Sequence, residues 1–183
     1  MTEPKRIYLA GPEVFFPQGD HRAIVGTKKR LLAEYGLEGV DPLDTDLDLP
    51  ADTPDRECGL RIHLANRKLM DSCDAIIANL TPFRGLSADP GTVFEVGYMI
   101  GQGKLAFAFS MDSRTYYQRA GQRPRDAQGH AVEKFGLADN LMIEGGIEES
   151  GGRVFCAEPG APLAWFDERL FRQCVEALVN RRP

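Results

Sequence analysis

The chain has 183 residues, of which 43% are hydrophobic and 27% charged, the balance of an ordinary globular protein of one domain spanning residues 1–183. That composition excludes a collagen-like, coiled-coil or wholly disordered chain, and a formal net charge of −5 argues against a nucleic-acid partner. The 19 glycines and 12 prolines exceed the roughly 22 residues that average usage would give, which predicts many tight turns and backbone-lined loops.

No apolar run approaches the ~20 residues of a membrane span, and no signal-peptide pattern follows the polar start, so a soluble cytoplasmic protein is expected. Cys58, Cys73, Cys156 and Cys174 form no C-x-x-C pair and read as reduced thiols. In chain order, residues 7–10 (Ile-Tyr-Leu-Ala) form an apolar run that stops at Gly11-Pro12, as a buried strand does. Asp20 is placed to cap a helix running to about Tyr35 and ending at Gly36. Residues 37–40 make a second strand, closed by Asp41-Pro42, and the aspartate-rich stretch 41–55 predicts a loop longer than an ordinary connector. A helix over 56–70 turns Leu60, Leu64 and Met70 to its apolar side, and 75–80 is the clearest buried strand.

After a loop over 81–88, Pro90 suits the first position of a third helix, with Val93, Val96, Gly97 and Ile100 towards the core. Residues 105–109 predict a fourth strand, 111–140 a long polar segment without a period, and 154–156 a weak fifth strand. Pro162 opens a last helix to about Val179, striped by Trp165, Leu170, Cys174, Ala177 and Leu178. Strands alternating with helices predict an α/β fold: a doubly wound, flavodoxin-like or Rossmann-like, mostly parallel five-stranded sheet with helices on both faces. Such sheets bind ligands at the carboxyl ends of their strands, so the loops after the first three strands carry the functional reading.

The loop Gly11-Pro12-Glu13-Val14-Phe15-Phe16-Pro17 has neither a dinucleotide fingerprint nor a Walker sequence, and Glu13 would repel a phosphate. Phe15 and Phe16 suit an apolar platform for a nucleobase, and equally a cover for the sheet edge. In Asp89-Pro90-Gly91-Thr92-Val93-Phe94-Glu95-Val96-Gly97, Asp89 occupies an N-cap position. Glu95 shares a helix face with Thr92, Tyr98 and Met99, where the helix dipole favours its ionised form. A half-buried ionised carboxylate at this end of a strand is what a covalent glycosyl nucleophile requires; a cap aspartate and an ordinary surface glutamate fit the same residues. Tyr8 would reach Glu95 if the first and third strands were neighbours, or it is a core tyrosine with a satisfied hydroxyl. Asp74 reads as a turn residue, and His21, His63 and His130 have no metal-site spacing, so no metal is expected.

Taken together, residues 7–12, Asp41-Pro42-Leu43-Asp44, 74–85, 89–97 and Asn140-Leu141-Met142 resemble the nucleoside 2-deoxyribosyltransferase family. The resemblance implies transfer of a 2-deoxyribosyl group between purine or pyrimidine bases, with weak hydrolysis as a side reaction and no cofactor. By its pattern Glu95 corresponds to the nucleophile that forms a deoxyribosyl ester, Asp89 to the carboxylate that protonates the departing base, and Tyr8 to the tyrosine that orients the nucleophile. The implied substrate-binding set is Gly11, Phe15, Asp44, Asn66, Asn140 and Met142. Asn140 and Met142 would be supplied to a neighbouring subunit, which implies a homo-oligomer. Asn66 stands where family members often carry a base-contacting aspartate. An amide does not donate a proton as a carboxylic acid does, so that task shifts to Asp89. Two alternatives remain at this level: a hydrolase of 2′-deoxynucleoside 5′-monophosphates, disfavoured by Asp89 and Glu13, and a catalytically silent nucleoside-binding domain.

Overall fold

The computed structural model describes residues 5–45, 47–161 and 164–181. Five strands, β1 (Arg6–Ala10), β2 (Glu38–Val40), β3 (Ala75–Asn79), β4 (Leu105–Ser110) and β5 (Val154–Cys156), form one sheet in the order β2-β1-β3-β4-β5. Every pairing is parallel, with Tyr8 opposite Val40 on one side and Ile76 on the other. Parallel strands need crossovers, and six helices are described: α1 (Gln18–Glu34), α2 (Asp55–Asp71), α3 (Pro90–Gly101), the one-turn α4 (Tyr116–Arg119), α5 (Leu141–Glu149) and α6 (Glu168–Val179). The chain winds left from β1 to β2 and then right to β3, so the switch point lies between β1 and β3.

β3 and β4 are buried along their whole length, which explains their unbroken apolar character, whereas the edge strands β2 and β5 have three residues each. Two apolar layers sandwich the sheet. Ile7, Leu9, Ile77 and Phe107 face Leu31, Leu32, Phe171 and Leu178 of α1 and α6. Tyr8, Ile76 and the small Ala78, Ala106 and Ala108 face Met70, Val96, Met99, Ile143 and Ile147 of α2, α3 and α5. The mostly parallel five-stranded α/β sheet predicted from the alternating pattern is what the chain forms, and every pairing is parallel.

Several local expectations are corrected. Pro17 and not Asp20 precedes α1, leaving Asp20 in the first turn, where its charge suits the helix dipole. In α2, Leu60 and Leu64 are 48% and 45% exposed, and Ala65 and Met70 are the buried pair. The buried face of α3 is Thr92, Val96 and Met99, while Gly97 faces outwards. α5 was not foreseen: its Gly145-Gly146 pair reads as loop, but Ile143 and Ile147 bury themselves one turn apart and Asn140 caps the start. The last helix begins at Glu168 under an Asp167 cap, leaving Trp165 ahead of it. The expected opening residue, Pro162, lies outside the described residues.

Candidate active site

The site is built where β1, the end of β2 and the start of α3 converge. Tyr8 lies in the centre of β1, fully buried, on the face of the sheet that α3 covers. Its hydroxyl donates to Glu95 Oε1 at 2.7 Å, linking β1 to the second turn of α3, the helix that follows the neighbouring strand β3. Glu95 is half-buried, and burial pushes its carboxyl up to about 7; the charges of Asp89 and Asp41 add to the rise and the Tyr8 hydrogen bond opposes it. The expectation of a readily ionised Glu95 is therefore corrected, because loss of hydration outweighs the helix dipole here. Burial, with Glu95 alongside, raises the Tyr8 phenol well above its ordinary value, so Tyr8 remains a donor at any physiological pH.

Asp89 caps α3: its Oδ2 accepts the Thr92 N–H at 3.0 Å and the Thr92 hydroxyl at 3.3 Å. It also lines a cleft of about 530 Å³ whose other walls include Phe15, Phe83, Arg84, Ala88 and Gly91. Phe15 and Phe83 stack at 5.4 Å with an 11° interplanar angle, and the Arg84 guanidinium lies 4.8 and 4.7 Å from the two ring centres. Phe16 turns away from Phe15 to pack on Trp165, which also meets the edge of Phe83. So Phe15 forms part of an aromatic surface open to the cleft, and Phe16 braces it from behind.

The loop bearing this surface is held from below. Glu13 is 3% exposed, and its Oε1 accepts both Lys28 Nζ at 2.6 Å and Asn79 Nδ2 at 2.9 Å. Lys28 in turn lies against the rings of Phe109, Phe166 and Phe171. Glu13 is thus neutralised and cannot repel a phosphate as its sequence position suggested. Asn79 also donates to the Trp165 carbonyl at 3.0 Å and accepts from the Thr81 N–H, gathering the loops after β1 and β3. Gly11 serves a close approach in this network, since a Cβ there would overlap the Glu13 carboxylate.

The remaining sequence candidates separate from this centre. Asp44 binds Lys29 Nζ at 2.6 and 2.7 Å and the Asp41 N–H at 2.8 Å, which closes the 3₁₀ turn after β2. Asn66 is half-buried on α2. Asn140 is occupied within its own subunit, donating to Glu133 at 2.6 Å and accepting the Met142 N–H at 3.0 Å, while Met142 is 75% exposed. Sequence reasoning missed Asp41, a carboxylate at the tip of β2 that is 4% exposed and raised by burial. Its Oδ2 lies 3.3 Å from the buried His21 Nε2. It also missed Asp139, which accepts from the Ala88 N–H at 2.9 Å and the Ser87 hydroxyl, fixing the cleft loop. Lys28 could have been found, because it shares the i, i+3, i+4 stripe of α1 with Val25, Leu31 and Leu32. Asp139 sits in an unpatterned polar stretch and left no signal.

A doubly wound parallel sheet with a tyrosine-held carboxylate at its switch point, near a second carboxylate that lines an aromatic cleft, is a candidate site of the kind such sheets place at the carboxyl ends of their strands. Comparisons narrow the reading. The sequence profile of the family described as nucleoside 2-deoxyribosyltransferase matches residues 7–142, and the chain belongs to that family. An uncharacterised protein of Schizosaccharomyces pombe is 36% identical over 169 residues, covering 81% of this chain and 79% of its own. A solved 2-desoxiribosyltransferase from Leishmania mexicana superposes with a TM-score of 0.67 at 32% identity, covering 94% of this chain and 98% of that one. The CMP N-glycosidase BcmB of Clostridium botulinum shares the fold, with a TM-score of 0.50 at 15% identity over 92% of this chain and 96% of that one. The family is enzymatic and moves glycosyl groups. Among the described residues no helix is long and apolar enough to cross a membrane.

Proposed function

We infer that this chain transfers the 2-deoxyribosyl group of a 2′-deoxynucleoside from one base to another through a covalent ester on Glu95. The observation that carries this reading is the 2.7 Å hydrogen bond from Tyr8 to Glu95 Oε1, which fixes the carboxylate rotamer and supports its negative charge. In the first half-reaction a Glu95 oxygen bonds to C1′ as the C1′–N bond breaks. The electron pair leaves on the base nitrogen, which takes a proton from Asp89. In the second, a nitrogen of the incoming base attacks C1′, the ester bond opens, and the proton lost by the acceptor returns to Asp89. Water in place of the acceptor gives slow hydrolysis.

Glu95 attacks as the carboxylate, the form its raised carboxyl reaches as pH passes about 7. The charge of the reactive form lies on Glu95, whose stabilising donor is Tyr8. Phe15 offers a stacking face to the base, and Gly11 sets the course of the loop that carries Phe15. By the family pattern Asp44 and Asn66 are assigned further contacts to the substrate, and Asn140 and Met142 act towards a neighbouring copy. In support of a homo-oligomer, Leu60, Ile62 and Leu64 of α2 and Phe94 of α3 are 41–53% exposed, an apolar surface that a second subunit would cover. The substrates are small nucleosides and free bases, with neither metal nor organic cofactor in the reaction, and the cytoplasm is the expected location.

Incubation of deoxyinosine or thymidine with adenine should yield deoxyadenosine, and Glu95→Ala should abolish the product. Failure to form a new nucleoside from any donor and acceptor pair refutes the reading.

A further inference from the structure

We propose that Arg84 reads the base, favouring bases that present a ring carbonyl over those that present an amino group at the same position. The proposal rests on the transferase reading above and names the substrate class within it. Three observations meet at this residue. Its backbone holds φ at +56°, a left-handed conformation that a non-glycine residue adopts at a cost and that tends to be kept at ligand sites. Its guanidinium carbon lies 4.8 and 4.7 Å from the centres of the paired Phe15 and Phe83 rings. And it lines the same cleft as Asp89, the residue assigned to protonate the base.

Among the described residues the guanidinium has no carboxylate partner; it lies beside the two aromatic rings. These contacts hold the cation at the cleft, and its N–H groups make no hydrogen bond among the described residues. Guanidinium carries donors only, so a base laid in the cleft is matched where it offers acceptors. A 6-oxopurine offers O6 and N7 together, the pair of acceptors an arginine fork fits. Adenine offers N7 beside an amino group that meets the fork donor to donor. The same logic sets thymine and uracil above cytosine. The contact also assists departure: the electron pair left by the broken C1′–N bond spreads onto the carbonyl oxygen, where the guanidinium N–H stabilises it while Asp89 supplies the proton. A 5′-phosphate on the sugar is the rival ligand for this cation, but Asp89 in the same cleft opposes a dianion.

The test compares deoxyinosine with deoxyadenosine, which differ only at the 6-substituent and the N1 proton that goes with it, as donors to one common acceptor. The proteins are the unmodified chain, Arg84→Met and Arg84→Gly. The glycine variant suits the left-handed backbone and keeps the loop fold. The unmodified protein should favour deoxyinosine in kcat/KM by about tenfold or more, and both variants should bring the ratio within about threefold of unity by losing deoxyinosine turnover. Equal losses on both donors, or an unchanged ratio, overturn the proposal. A loss confined to deoxyinosine 5′-monophosphate does so too, and assigns the cation to phosphate. If the unmodified protein turns over no nucleoside, the transferase reading fails by itself. Calorimetric binding of hypoxanthine against adenine then decides the role of Arg84: a preference for hypoxanthine that both variants lose upholds it, and equal binding overturns it.

Discussion

Replacing Glu95 by Gln should make the protein more stable and inactive at once. Glutamine keeps the shape of the side chain and an acceptor for the Tyr8 hydroxyl, but it carries no charge. In the folded protein the Glu95 carboxyl titrates near 7, against 4.5 for an ordinary glutamate, mainly because it is buried. A carboxyl raised on folding contributes its full stability below pH 4.5 and loses it as pH rises to 7, since the folded state must then hold an unfavourable charge. That rise, from 4.5 to about 7, corresponds to about 3 kcal/mol, and for a chain of this size to a melting difference of about 6–12 °C. Urea or thermal denaturation of the two proteins from pH 4 to 9 should therefore coincide at the acid end. The curves should separate between pH 4.5 and 7 and run parallel above. A stability difference independent of pH, or one that grows as pH falls, would refute the account of Glu95 as a carboxylate charged at a cost.

Other outcomes follow from the same geometry. Glu95 attacks as the carboxylate, so kcat/KM should rise as pH passes through about 7. In Asp89→Asn, Glu95 is relieved of a like charge and should titrate lower, so the rise in the weaker residual activity should move to lower pH; an unmoved profile would show that the Asp89 charge does not act on Glu95. Lys28→Met leaves the Glu13 carboxylate buried without its cation and should cost about 3–5 kcal/mol in denaturant titrations. Adding Glu13→Gln to that variant should restore most of the loss, and additive losses would show that the two residues act separately.

The sheet was legible because its signals are local. Short apolar runs such as 75–80, bounded by turn residues, are dictated by burial on both faces, and alternation with helices leaves a parallel sheet as the consistent arrangement. Tyr8 and Glu95 were nominated from position, but their contact depends on strand order, which places β1 beside β3 and which no single segment encodes. The faces of α2 and α3 were misjudged for a related reason. Leu60 and Leu64 carry the right spacing for a core stripe, yet this half of α2 extends past the packed layer. Trp165 looked like helix stripe because aromatic residues favour cores, and it instead joins the cluster behind Phe83. The state of Glu13 was beyond local reading altogether, since its cation arrives from the next helix and its amide partner from β3.

Asn79 joins segments that are remote in the chain: the loop after β1 through Glu13, the start of the loop after β3 through Thr81, and the approach to α6 through the Trp165 carbonyl. A local opening that releases the segment before α6 also frees an amide hydrogen of Asn79 and takes the Trp165 ring away from Phe16 and Phe83. The aromatic wall of the cleft and the last crossover of the fold therefore belong to one cooperative unit, and their amide protons should exchange together. A base stacked on that wall, as the proposed function requires, should therefore slow amide exchange in a part of the chain some 150 residues downstream of β1.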